Sequence, residues 1–270
     1  MHFHHDAVDG STGIHGSLTA EPEGSKSSET KQFQRMKMSI IQKIAQKAAD
    51  IVRMCCYSPS DIAELQRLVS SVRAEDLKYN TELALRFGRS FPSFWPKFAE
   101  KVPPCLYTEV YSDDLMNLCI FCLPAGNEIP LHDHPGMYGL LKVIEGSCVV
   151  ESFTSVGKTC EDGSVPRDAI QVRVHDPVSL CPSDPASLFT PTKRNYHRVS
   201  SPNCTTAFFD VLFPPYKSPN RDCHYFSLNT RFPSDGNIGG DQSFGFLLPC
   251  SPKNYRCELY AYGGERVVLD

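Results

Sequence analysis

Gly126-Asn127-Glu128-Ile129-Pro130-Leu131-His132-Asp133-His134-Pro135-Gly136-Met137 is the stretch whose reading decides both the fold and the chemistry of this chain. On an extended strand, residues two apart project to the same face with Cα atoms about 6–7 Å apart. His132 and His134 are therefore expected to converge on one ion from a single strand, while Asp133 points to the opposite face. A lone buried histidine is ordinarily a satisfied polar group, but an H-x-H pair on a strand in a β-rich chain reads as a pair of metal ligands.

The surroundings of that stretch are β-rich. Short runs recur from Cys105 onward: Leu106 to Tyr111, Met116 to Leu123, Tyr138 to Ile144, Cys148 to Phe153, Ile170 to Val174, Thr205 to Phe213, His224 to Leu228, Phe244 to Leu248 and Tyr255 to Tyr262. Turn residues separate them, as in Pro124-Ala125-Gly126-Asn127 and Glu145-Gly146-Ser147, and the polar stretch from Gly157 to Asp168 reads as a surface hairpin insertion. Many short strands with regular turns and no interleaved helices predict an all-β sandwich or closed barrel.

Upstream, Ile40, Ile41, Ile44, Ala48, Ile51 and Val52 recur at helical spacing, as do Ile62, Leu65, Leu68, Val69 and Val72. Ser58-Pro59-Ser60-Asp61 has the hydroxyl, first-turn proline and third-position carboxylate of a helix start. The first helix and its approach carry Lys31, Arg35, Lys37, Lys43, Lys47 and Arg53. This basic face suits a membrane or a partner, but more simply a helix packed on its own domain with its lysines in solvent. Residues 1–30 lack periodicity and read as a disordered tail, so His2, His4, His5 and His15 have no fixed geometry for a metal. The expected organisation is a tail at 1–30, helices packed on the barrel at 31–80, and the barrel domain itself at 81–270.

Bulk properties narrow the function. A formal charge of −4 gives no footprint for nucleic acid, and no apolar run is long enough to span a bilayer. The first residues lack an apolar signal core, so a cytoplasmic location and reduced thiols are expected. Asn203-Cys204-Thr205 then matches a glycosylation acceptor by chance. Cys119 and Cys122 have the spacing of a metal or redox pair, but inside the run Leu118-Cys119-Ile120-Phe121-Cys122-Leu123 they read as small hydrophobes of a buried strand. A third metal ligand belongs on a neighbouring strand. Outside the tail the candidates are His175, His197 and His224, and pattern favours His197 because a β-like stretch begins there after a turn.

The spacing from Gly126 to Gly146 resembles the first cupin motif, a glycine, five residues, H-x-H, then a glycine closing the next turn. The glutamate ligand usual in cupins is missing, since Tyr138 and Gly139 stand where it is expected. A three-histidine cupin without the carboxylate resembles the thiol dioxygenases. Further strings are similar to the 2-aminoethanethiol (cysteamine) dioxygenase and plant cysteine oxidase family: Ile129 to Met137, Leu141-Lys142-Val143, Phe209-Asp210-Val211-Leu212, Pro214-Pro215-Tyr216 and Arg221-Asp222-Cys223-His224-Tyr225. The resemblance covers roughly residues 36 to 262.

It implies a cupin double-stranded β-helix, a jelly-roll-like barrel with short N-terminal helices. It implies one Fe(2+) per chain on His132, His134 and His197, with Asp210 orienting a ligand histidine or the substrate amine, a thioether between Cys223 and Tyr225, and Tyr216 at the pocket mouth. The implied reaction takes a thiol and O2 to a sulfinic acid. A facial triad leaves about three positions open on an octahedral ion for a thiolate and O2, and the anionic sulfur supplies the charge a carboxylate provides elsewhere. Cysteamine, which gives hypotaurine, and proteins beginning with cysteine are the implied substrates, the latter linking the chain to oxygen sensing through the N-degron pathway. A monomer is expected. Two other readings compete: a zinc hydrolase or lyase, because three imidazoles also suit Zn2+, and a non-catalytic ligand-binding cupin.

Overall fold

In the computed structural model of this chain, the described residues are 38–55, 57–82, 84, 105–157, 166–230, 244–252 and 255–269. The tail with its four histidines, Lys31, Arg35 and Lys37, and most of the polar insertion after Gly157 lie outside them.

Two helices open the described chain, α1 (Ile40–Arg53) and α2 (Pro59–Ser70). Each starts where a serine supplies the missing acceptor. Ser39 Oγ accepts from the Gln42 amide at 3.2 Å, and Ser58 Oγ from the Asp61 amide at 3.1 Å. The apolar stripe of α1, including Ile41, Ile44, Ala48 and Ile51, is buried as its spacing requires. Lys47 departs from the expected solvated lysine face. Its ammonium joins the two helices, 2.7 Å from Asp61 and 2.6 Å from Glu64 of α2.

Thirteen strands follow among the described residues: β1 (Cys105–Ser112), β2 (Asn117–Leu123), β3 (Asn127–His132), β4 (Tyr138–Glu145), β5 (Cys148–Ser155), β6 (Ile170–Val174), β7 (Val178–Leu180), β8 (Ser187–Phe189), β9 (Tyr196–Ser201), β10 (Thr206–Phe213), β11 (Tyr225–Asn229), β12 (Phe244–Cys250) and β13 (Cys257–Leu259). They form two sheets, ordered β13-β1-β2-β10-β4-β8 and β6-β12-β11-β3-β9-β5-β7. A further pairing of β5 with β6 closes six strands of the second sheet into a ring. This is the cupin double-stranded β-helix that the motif spacing implied.

Alternation along the strands sends side chains to three separate cores. On the outer face of the first sheet, Leu118, Ile120, Leu140, Phe209 and Val211 pack against Ile44, Ile51 and Leu65 of the helices. On its inner face, Cys119, Phe121, Leu141, Val143 and Phe208 meet Ile129, Val150 and Val199 of the second sheet. The far face of the second sheet places Leu131, Phe153, Val172, Phe226 and Leu247 inside the closed ring. Strands covered on both faces read as continuous apolar runs, which is why all eight residues of β10 are buried and why β2 carries Cys119 and Cys122 as packing residues. Each buried aromatic or branched side chain is worth roughly 1.5–3 kcal/mol. Gly146, in the turn between β4 and β5, has φ +72, and a Cβ there would overlap the Thr205 carbonyl oxygen. Only glycine fits that approach.

Candidate metal centre

The site forms where β3 leaves regular pairing. The ladder between β3 and β9 shifts between Ile129 and His132. Pro130 falls in that gap, where its missing N–H costs no ladder bond. Its free carbonyl lies 2.8 Å from His132 Nδ1. With Nδ1 protonated toward that oxygen, His132 keeps an Nε2 lone pair for a ligand.

His134 corrects the expectation of two histidines on one strand, because β3 ends at His132. His134 stands in the turn that follows, closed by the Met137 amide on the His134 carbonyl at 3.1 Å. Asn195 holds its backbone, accepting from His134 N at 3.2 Å and donating to His134 O at 2.8 Å. Tyr216 holds the ring, with its hydroxyl 2.8 Å from His134 Nδ1 and donating to the Asp133 carbonyl at 2.6 Å. Asp133, which also lies past the strand, turns away from the cluster. Its carboxylate accepts from the His224 amide at 2.8 Å and lies 3.1 Å from His224 Nδ1.

The structure brings His197 to the other two. It sits on β9 directly across from His132, and the three ring centroids are 4.9 Å (His132–His134), 4.6 Å (His132–His197) and 4.8 Å (His134–His197) apart. One ligand atom from each ring lies within 4.8 Å of the others. Phe189 stacks on His197 at 4.1 Å and fixes its plane. The remaining candidates are engaged elsewhere, His175 with Thr154 at 2.7 Å and His224 with Asp133. Among the described residues, no carboxylate joins the cluster.

All three rings are buried, with exposures of 8%, 2% and 3% for His132, His134 and His197. Burial lowers His132 to about 4, partly opposed by its bond to Pro130. Burial, reinforced by the neighbouring imidazoles, holds His134 and His197 well below the ordinary histidine value. The cluster is therefore neutral at physiological pH, with lone pairs available. His134 Nε2 and His197 Nδ1 are buried without a hydrogen-bond partner. An unpaired buried polar atom costs free energy, and three convergent neutral imidazoles fit a first-row divalent ion that supplies the missing partner.

Asp210 lies on β10 facing the space between the sheets, opposite Cys119 and Leu141. Burial pushes its carboxyl up to about 7, against a bond from the Val211 amide. The ring nitrogens of His132 and His134 bond to Pro130 and Tyr216, not to Asp210. Tyr225 begins β11 and pairs across from His132, with ring centroids 6.3 Å apart. Cys223 interacts with the phenol groups of both Tyr216 and Tyr225, and burial raises its thiol above the ordinary value. Asn195 and Pro130 carry no expectation from the sequence, and Tyr216, implied at the pocket mouth, has its hydroxyl on the His134 ring. The nearest signal was positional: Pro130 and Asn195 each precede a ligand histidine by two residues.

Residues 68–267 match the PCO_ADO family. Over 213 residues the chain is 31% identical to 2-aminoethanethiol dioxygenase of Mus musculus, covering 70% of this chain and 80% of that one. Over 182 residues it is 30% identical to plant cysteine oxidase 1 of Arabidopsis thaliana, covering 66% and 57%. A solved cupin superfamily protein from Desulfitobacterium hafniense aligns with 40% of this chain and 76% of its own, at 13% identity and a TM-score of 0.28.

Proposed function

Because the chain belongs to the PCO_ADO family, we propose that it is a thiol dioxygenase using iron(II) on His132, His134 and His197 to turn a 2-aminothiol and O2 into the sulfinic acid. The observation that carries this reading is the all-imidazole cluster without a carboxylate. An uncharged ligand set leaves the ion its full positive charge, which favours an anionic thiolate as the incoming group. Ferrous iron held there would supply Lewis acidity and a redox-active centre through which the sulfur gives up four electrons to O2. The balance is RSH + O2 → RSO2H, in which two S–O bonds form, the O–O and S–H bonds break, and the thiol proton ends on a sulfinate oxygen.

The protein's own contribution is positional. Pro130 and Tyr216 select the ring tautomers of His132 and His134, and Phe189 sets the plane of His197. Asp210 is close enough to be felt by Tyr216, which holds His134, and we assign it to the substrate ammonium, whose positive charge would favour the ionised carboxylate that burial disfavours. The proximity of the Cys223 thiol to the Tyr225 phenol supports a thioether between them. That S–C bond forms as the thiol S–H and a ring C–H bond break, with both hydrogens passing to O2 to give H2O2. An intact mass lower by two hydrogens, abolished in Cys223→Ser, reports the bond, and an unchanged mass excludes it.

The names of the relatives support two substrate types, 2-aminoethanethiol (cysteamine) and cysteine. For the second we propose protein N-termini beginning with cysteine, since these present the same 2-aminothiol, with oxygen sensing by a cytoplasmic monomer as the consequence. The test is anaerobic loading with Fe2+, then O2 uptake with cysteamine and with a Cys-initiating peptide. Uptake matched by a product heavier by one O2 supports the reading. Activity with Zn2+ instead of Fe2+ would replace it with hydrolytic or lyase chemistry. No turnover with either metal would leave a ligand-binding cupin.

A further inference from the structure

Away from the histidines, a second reactive pair stands at the edge of the first sheet. β13 is a three-residue edge strand running parallel to β1, and Cys105 and Cys257 are direct partners in that pairing. Adjacent strands lie about 4.8 Å apart, inside the Cα separation of about 4.4–6.8 Å that a disulfide accepts. Both side chains pack into the same core; the Cys105 thiol donates to the Leu106 carbonyl at 3.5 Å, and Cys257 Sγ is 3.1 Å from Tyr255 Oη.

We propose that Cys105 and Cys257 form a redox pair that closes to a disulfide under peroxide, fastening β13 to β1. The two sulfurs are unequal in the way such a reaction requires. Cys105 is fully buried, and that burial holds its thiol well above the ordinary value. Cys257 is half-buried, and the neighbouring Cys105 thiol and Tyr255 hydroxyl draw its pKa down against the effect of burial. Cys257 is thus the attacking thiolate and Cys105 the resolving thiol. In the first step Cys257 sulfur attacks one peroxide oxygen, the O–O bond breaks, and the leaving oxygen departs as an alcohol or water after taking a proton. In the second, Cys105 sulfur attacks Cys257 sulfur, the S–S bond forms, the S–O bond breaks and water leaves. Two thiols and ROOH give a disulfide, ROH and H2O.

The pair is linked to the candidate metal centre by ring contacts. Tyr255 packs edge-on against Tyr225 at 6.0 Å, and Tyr225 is the cross-strand partner of His132. Closing the disulfide takes the Cys257 thiol away from Tyr255, so the oxidation state of the pair is felt one residue from a metal ligand. This inference is independent of the reaction proposed above and survives its failure.

The experiment treats the full chain with hydrogen peroxide in the absence of any thiol substrate, alkylates remaining thiols and maps non-reduced peptides. Cleavage after Glu109 separates Cys105 from Cys119 and Cys122, and cleavage after Arg256 separates Cys257 from Cys250, so with both cuts the partner is unambiguous. The expected result is a peptide linking Cys105 to Cys257, reversed by dithiothreitol and absent in Cys257→Ala. Amide exchange of residues 257–259 should slow by about tenfold or more on oxidation, as an edge strand loses its local opening. Cys257→Ala changes a half-buried position, so the result does not depend on a buried substitution that could prevent folding. Recovery of Cys257 as a free thiol or as a sulfinate beside free Cys105, or linked to a different cysteine, overturns the proposal.

Discussion

Tyr216 stands behind His134, its hydroxyl 2.8 Å from the ring Nδ1 and bonded at 2.6 Å to the carbonyl of Asp133. One phenol thus ties a ligand ring to the backbone of the turn that carries it. Partners of this kind typically account for about 10–100-fold in metal affinity. Tyr216→Phe should weaken Fe2+ or Co2+ binding by about that factor, measured by competition with a chelator. Leaving Nδ1 buried and unpaired should also cost the metal-free protein about 1–3 kcal/mol. Unchanged metal affinity would reduce Tyr216 to a packing residue.

The assignment of the third ligand makes a contrast testable in two variants. His197→Ala should abolish metal retention and turnover while leaving the far-UV circular dichroism native, because the barrel cores do not include the ring cluster. His175→Ala removes a ring bonded to Thr154 and should leave the metal content at one per chain. Metal analysis of both proteins decides the matter.

Asp210 and the histidines pull stability in opposite directions as pH changes. A histidine lowered to about 4 by burial stays neutral in the fold while the unfolded chain takes up protons below about 6.5. Its contribution is complete above about 6.5 and is lost as pH falls toward 4. Asp210, raised to about 7, stays protonated in the fold while the unfolded chain ionises above about 3.9, so its contribution is lost as pH rises toward 7. Asp210→Asn deletes the second effect and keeps the first. In metal-free protein, the stability of Asp210→Asn relative to the parent should rise by up to about 4 kcal/mol between pH 4 and pH 8, read from urea denaturation. A difference that stays flat would mean that the Asp210 carboxylate is paired and charged.

Two glycines of the motif separate backbone strain from steric overlap. Gly126 has φ +80 with open space where a Cβ would stand, whereas at Gly146, with φ +72, a Cβ meets the Thr205 carbonyl. Gly126→Ala should cost about 1–2 kcal/mol, the left-handed penalty alone. Gly146→Ala should cost distinctly more, because the Thr205 backbone must move. Equal shifts in thermal midpoint would contradict the close approach.

How much of this can be read from residues alone varies from element to element. Strands with clean boundaries, such as β4 and β5, are legible because their turns carry Glu145-Gly146-Ser147 and because burial imposes a pattern on the side chains. The three-residue strands β7 and β8 are not, since so few residues carry no periodicity. His132 and His134 do act as a pair, but strand alternation accounts for only one of them: His134 lies past the strand and owes its position to Asn195 and Tyr216. Both are far along the chain, so no local pattern reports them.

The sequence by itself determined the β-rich class, the helix start at Ser58, and the presence of a histidine pair after a glycine turn, because each follows from side chains acting on their own neighbourhood. Pattern and resemblance already favoured His197 over His175, but tertiary structure alone decided that Tyr216 and Pro130 orient the rings of the cluster and that Cys105 faces Cys257. These depend on strand register. Sliding one strand by a single residue reverses which side chains face inward, and the register is set by the summed packing of three cores rather than by any one segment.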